Sequence, residues 1–185
     1  MESISDNALM LNVRDGKLDH LGLLFERYKK ILFGFFYNLS GDPNLSEDLV
    51  QSVFERILKY RQGFKGDGEF KLWMFHIARN VNIDHYRKTN KLQKEDIEHW
   101  RERIGDKVCN SEEAMGKAEE LKILQMAIAR LDMEKREVII FSKIDGLKYK
   151  QIGELLNCSE GAVKVKVFRA MQTLKAEYLK IEKAI

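Results

Sequence analysis

The chain has 185 residues, 44% hydrophobic and 33% charged, with one proline and a net charge of +3. This mixture argues against disorder throughout, and it suits a soluble, mainly helical protein whose charges coat its helix faces. The total charge is too small to name a polyanion as partner, so its distribution along the chain has to carry that question.

Residues 1–19 read as an N-terminal extension, and Met1-Glu2-Ser3-Ile4-Ser5-Asp6 lacks the basic start and apolar core of a secretory signal. Leu21, Leu24, Phe25, Tyr28, Leu32, Phe35, Phe36 and Leu39 then recur every three to four positions, one buried stripe of a helix. Glu26, Arg27, Lys29 and Lys30 interrupt it, so no membrane insertion is expected. Ser40-Gly41-Asp42-Pro43 stops this helix. A second is expected after Asn44, with Asn44 as its cap and Glu47 three residues on. Its stripe is Leu49, Val50, Val53, Phe54, Ile57 and Leu58, and its other face shows Asp48, Gln51, Ser52, Glu55 and Arg56.

Gly63-Phe64-Lys65-Gly66-Asp67-Gly68-Glu69 has three glycines and no period, which predicts a loop with unusual backbone angles. Phe70 opens a third helix, with Trp73, Met74, Ile77, Ala78, Val81 and Tyr86 inward and Lys71, Arg79, Arg87 and Lys88 outnumbering nearby acids. From Lys91 to Glu120, six basic residues face nine acidic ones and apolar anchors are few. This segment reads as a partly ordered linker between two helical domains. The alternative is one continuous helical domain.

Beyond it, Leu121, Leu124, Ile128 and Leu131 mark a helix, and Asp132 is placed to cap the next, which carries Val138, Ile139, Phe141 and Ile144. After Asp145-Gly146, two short helices are joined by about three residues. Gly153 stands where they cross, Asn157 at the turn and Ser159 at the start of the second, the form of a helix-turn-helix. Val163, Val167, Ala170, Met171 and Leu174 face inward, leaving Glu160, Ala162, Lys164, Val165, Lys166, Phe168 and Arg169 outward. Cys109 and Cys158 form no ligand-spaced pair, so reduced thiols and neither disulfide nor zinc are expected.

The ordered set from Leu131-Asp132 through Asp145-Gly146-Leu147-Lys148-Tyr149, Ile152-Gly153-Glu154-Leu155-Leu156 and Ser159-Glu160-Gly161-Ala162-Val163-Lys164 to Phe168-Arg169-Ala170 resembles the promoter-binding domain of extracytoplasmic-function (ECF) sigma factors, a subfamily of the sigma-70 family. Glu47 to Phe54, together with Phe70 to Asn80 and Asp84 to Lys88, resembles that family's two N-terminal signature helices. The resemblance implies an all-α chain of two small helical domains: residues 20–90 for core polymerase and the minus-ten element, a linker at 91–120, and 121–185 for the minus-thirty-five element.

It further implies a bacterial transcription initiation factor in the cytoplasm, with core RNA polymerase, promoter DNA and an anti-sigma factor as partners, and with no cofactor, metal or catalytic residue. Asp48, Leu49, Gln51, Ser52, Phe54 and Glu55 match the family's polymerase-binding helix. Lys71, Arg79, Asn80, Asp84, His85, Arg87 and Lys88 match its minus-ten contacts, with Asn80 and the 63–69 loop forming a pocket for an extruded base. Ser159, Glu160, Lys164, Lys166, Phe168 and Arg169 match its minus-thirty-five readers. For Trp73, a place in the core is expected over a role as a melting wedge. Lys148 departs from the usual capping Ser or Thr, and Ala162 and Val165 stand where Thr and Ser are common.

Two other functions compete. A free DNA-binding regulator would also use a helix-turn-helix but leaves the N-terminal half unexplained. An enzyme would draw on His76, Asp84-His85 and His99, which have no metal-ligand spacing.

Overall fold

The computed structural model describes residues 4–92 and 112–184. Among them the regular elements are helical: α1 (Asp6–Arg14), α2 (Asp19–Ser40), α3 (Pro43–Tyr60), a 3₁₀ turn (Arg61–Gly63), α4 (Phe70–Leu92), α5 (Glu112–Ala129), α6 (Met133–Ile139), a π-helical turn (Ile140–Ile144), α7 (Tyr149–Leu156) and α8 (Glu160–Glu182). The chain divides into two units, Met1–Tyr37 with Pro43–Lys94 and Asn38–Asp42 with Glu95–Ile185. The all-helical expectation holds. No described helix is long and apolar enough to cross a membrane.

The stripe of α2 is buried largely as its spacing predicts, at Leu24, Tyr28, Leu32, Phe35 and Phe36 in the first unit and at Leu39, which belongs to the second. The helix ends before Gly41, whose φ of 70° is a left-handed angle that glycine adopts without cost. α3 begins at Pro43, so Asn44 lies inside its first turn instead of capping it. Proline's fixed φ and missing N–H suit the first helical position, which explains why the helix starts two residues earlier than a cap at Asn44 would give. α4 packs along α3, and α1 packs on α4 and the 3₁₀ turn. The buried side of α4 is Phe70, Met74, Phe75, Ala78, Val81 and Asn82; Tyr86, expected inward, is exposed.

The segment 1–19, treated above as an extension, contains α1. Ser5 Oγ accepts from the Ala8 N–H at 3.3 Å, the ordinary cap of a helix start. Leu9, Met10 and Val13 are fully buried. That burial makes α1 part of the first unit's core.

In the second unit, α5, α6 and α7 each pack against α8, which is therefore its central element. Ile123, Ala127, Ile128, Leu131, Val138, Ile139, Phe141, Ile152, Leu155, Val163, Val167, Ala170 and Leu174 fill the core; Leu121, Ile144 and Met171, expected inward, are exposed. Asp132 caps α6 as expected, accepting from the Lys135 N–H at 2.9 Å. Arg136 fastens α6 to the end of α5 by donating to the carbonyls of Ile128 at 3.1 Å and Leu131 at 2.9 Å. Part of the expected linker is helical: 91–92 close α4 and 112–120 open α5, while 93–111 lie outside the described residues.

Candidate nucleic-acid and partner interface

On α3, Asp48, Gln51 and Glu55 are exposed and Ser52 is half-buried, one polar and largely acidic face. Leu49 and Phe54, expected on the partner-binding edge, are buried at 4% and 7% exposure. The Phe54 ring meets Phe25 edge-on at 5.0 Å, so these two residues attach α3 to its own unit. Arg56 turns toward α4, where its Nη1 lies 2.8 Å from Asp84 Oδ2.

The loop after α3 borders a cleft of about 250 Å³, lined by Gly63 to Glu69 with Leu72, Trp73 and His76. That is slightly below the roughly 300–1,000 Å³ of drug-sized sites, room for one flat heterocycle. Gly66 there takes φ 83°, the unusual angle that the loop's composition predicts. Trp73 is not a core residue: half-buried, it forms a wall of the cleft and presents its ring at 61° to Phe64, 5.3 Å away. Phe64, which is buried, takes the interior place instead.

At 100° per residue, His76, Asn80 and Arg87 fall on one line of α4, running from the cleft toward the exposed Arg87. Asn80 is exposed one turn beyond the cleft wall. Lys71 and His85 fall on the opposite, buried side of the helix, and both are half-buried. The seven residues matched to the minus-ten contacts therefore do not form one surface. Asn80 and Arg87 lie toward the cleft side, with the half-buried Arg79 and the paired Asp84 flanking them, while the exposed Lys88 stands about 120° around the helix from His76. His85 is further occupied through its ring Nε2, 3.3 Å from Thr89 Oγ1.

In the second unit the helix-turn-helix is present in the expected detail. A Cβ at Gly153 would lie 2.6 Å from the Cys158 carbonyl oxygen, so only glycine lets α7 and the turn approach this closely. That same contact carries backbone hydrogen bonding, with the Cys158 N–H donating to the Gly153 carbonyl at 2.9 Å. Asn157 has φ 52° and ψ 48°. Ser159 Oγ accepts from the Ala162 N–H at 3.2 Å and starts α8.

The start of α7 shows what Lys148 costs. An ammonium has no acceptor for the helix's free N–H groups. One bond remains from a capping box: Gln151 Oε1 accepts from the Lys148 N–H at 2.9 Å.

Not every cation on α8 is free. Lys166 donates to Glu134 of α6, and this bond holds its ammonium above the usual lysine pKa. Lys164 pairs with Glu160 one turn back at 3.3 Å, a solvent-exposed pair of small worth. Arg169 is exposed, and beside it stand Val165 at 48% and Phe168 at 63% exposure, so the outermost strip of α8 mixes a guanidinium with bare apolar groups. Sequence spacing did not reveal Glu134, because the two partners are 32 residues apart. It also passed over Asn7, Leu11 and Arg14 of α1, which touch the cleft loop; the cap Ser5 and the apolar pattern of Leu9, Met10 and Val13 were the available signals.

Comparison with known proteins agrees on both units. The family model for sigma-70 region 2 matches residues 24–92, and that for sigma-70 region 4 matches residues 121–174. Among curated relatives, the ECF RNA polymerase sigma factor SigX of Bacillus subtilis is 28% identical over 156 residues, 83% of this chain and 80% of the relative. The ECF RNA polymerase sigma-E factor of Escherichia coli is 27% identical over 182 residues, 94% of each. Two solved structures share the fold: CnrH bound to the cytosolic domain of CnrY, with a TM-score of 0.69 and 22% identity, covers 92% of this chain and 95% of that one. The sigma factor RpoE of Bartonella quintana bound to the anti-sigma factor NepR has a TM-score of 0.68 and 24% identity, covering 86% of this chain and 96% of that one.

Proposed function

The chain belongs to the sigma-70 family of bacterial RNA polymerase sigma factors, in its extracytoplasmic-function subfamily, and on that basis we propose how its two units share the work of directing core polymerase to promoters and opening them. The observation that carries the proposal is the joint presence of a complete helix-turn-helix in one unit and a one-base cleft beside an open helix face in the other.

The acidic and polar face of α3, Asp48, Gln51, Ser52 and Glu55, docks on core polymerase. Leu49 and Phe54 act only by holding that face in place. The cleft between the 63–69 loop and α4 receives a base drawn out of the melted minus-ten element, with Trp73 as an aromatic wall and Asn80, Arg87 and Lys88 continuing along the strand. The start of α8 enters the major groove of the minus-thirty-five element, where Arg169 and a freed Lys164 or Lys166 reach phosphates and base edges and Val165 and Phe168 offer apolar contact. The protein works in the cytoplasm with the polymerase and catalyses no reaction itself. An anti-sigma factor, the class of partner seen with the Bartonella protein, is proposed as its inhibitor.

Run-off transcription with core polymerase and a library of promoters tests activity and base preference together. Arg169→Glu is expected to abolish transcription from the selected promoter while core binding persists; Asp48→Arg is expected to lose core binding first. If both variants lost the same step, the assignment of roles would be wrong. Specific transcription that required no core enzyme contact through α3, or tight site-specific binding by a free dimer, would favour the free regulator instead.

A further inference from the structure

We propose that α1 is a brace for the cleft loop and that Asn7 is the positioning residue through which it fixes the cleft's base preference. α1 meets the loop at alternate residues. Gln62 Nε2 donates to the Arg14 carbonyl at 2.9 Å, and Arg14 Nη1 reaches the Phe64 carbonyl at 3.4 Å. Leu11 lies against Gly66, where a Cβ would stand in van der Waals contact with its two methyl groups at 3.4 and 3.5 Å. Asn7 closes the far end: its Nδ2 donates to the Gly68 carbonyl at 2.8 Å and its Oδ1 accepts from the Phe70 N–H at 2.7 Å.

The last contact means that Asn7 satisfies a backbone donor at the start of α4 across 63 residues of chain. An amide is suited to this place because it offers a donor and an acceptor together. α1 is itself anchored, with Leu9, Met10 and Val13 fully buried and Asp6 accepting from Arg27 Nη1 and Tyr28 Oη, each at 2.5 Å. A segment with three glycines has much conformational freedom to lose on ordering, and a recognition cleft discriminates only when its walls stand in place before the ligand arrives. α1 supplies that order.

The inference rests on the reading of this cleft as the seat of an extruded base, so the test separates the two. Open-complex formation by the full chain with core polymerase is measured on promoters that vary each base of the minus-ten element. Wild type is compared with Asn7→Ala, Trp73→Ala and Ile57→Val, the last a one-methylene truncation in the core of α3 at a residue that does not line the cleft. The expected result is that Asn7→Ala reduces the best-to-worst base ratio about tenfold, a size in keeping with the net worth of its two positioning hydrogen bonds, with core affinity unchanged. Amide exchange at 64–70 should quicken in Asn7→Ala and not in Ile57→Val. If Asn7→Ala keeps the ratio while Trp73→Ala loses it, the brace is refuted alone; if Trp73→Ala also keeps it, the cleft reading falls and the brace's role falls with it. Equal loss of the ratio in Ile57→Val would reduce Asn7 to ordinary stability and overturn the proposal.

Discussion

A methyl group at residue 153 would collide with the Cys158 backbone oxygen, and backbone cannot rotate away as a side-chain tip can. Gly153→Ala should therefore destabilise the helix-turn-helix by about 1–3 kcal/mol, measured by denaturant unfolding; unchanged stability would show that the two helices can separate freely. Tyr28 provides a test by pH. Burial, then its hydrogen bond to Asp6, push its phenol above the ordinary value near 10. The folded state thus holds the proton more tightly than the unfolded chain, so this contribution is complete below about pH 10 and declines as pH rises beyond it. Tyr28→Phe should lose the corresponding part of the alkaline destabilisation, seen as a flatter stability profile above pH 10. Glu134→Gln should release Lys166: promoter binding by the holoenzyme should tighten, and the slope of log K against log salt should steepen by about one unit if the lysine reaches a phosphate.

At the scale of elements, helix starts show how closely local chemistry was readable. Asp132 and Ser159 cap α6 and α8 where the sequence places them, because a cap is a contact over three residues. The start of α3 lies two residues before the one that a cap at Asn44 predicts, because Pro43 competes for the first turn and proline's fixed φ wins. α7 begins without a side-chain acceptor. Lys148→Ser would complete the box with Gln151 and should add about 0.5–1 kcal/mol to the second unit, read as a higher denaturation midpoint; no gain would mean that Gln151 already satisfies the start by itself. The inward faces of α2 and α3 were legible from their period. α4 was read less well, since its aromatics serve both core and cleft and periodicity cannot tell Trp73 from Phe75.

For the whole molecule, a net charge of +3 leaves little general attraction for DNA, and several cations are already paired within the fold. Promoter affinity should therefore appear with core enzyme and be negligible for the free chain at moderate salt, as fluorescence anisotropy of a labelled promoter would show. Two contacts on one chain gain from intramolecular closure, by about 10²–10⁴ in affinity, only once both can engage. Tight site-specific binding without polymerase would contradict this. The sequence by itself determined the helical character, the two-part organisation, the turn at Gly153, Asn157 and Ser159, and the family resemblance. All of these are written in spacings of a few residues, over which the backbone itself sets geometry. Only the tertiary structure decided that Trp73 is a wall, that Lys166 is occupied by Glu134 and that Asn7 holds the cleft loop. Each of these depends on a partner brought near by packing from tens of residues away, and no local spacing records which distant residue will arrive.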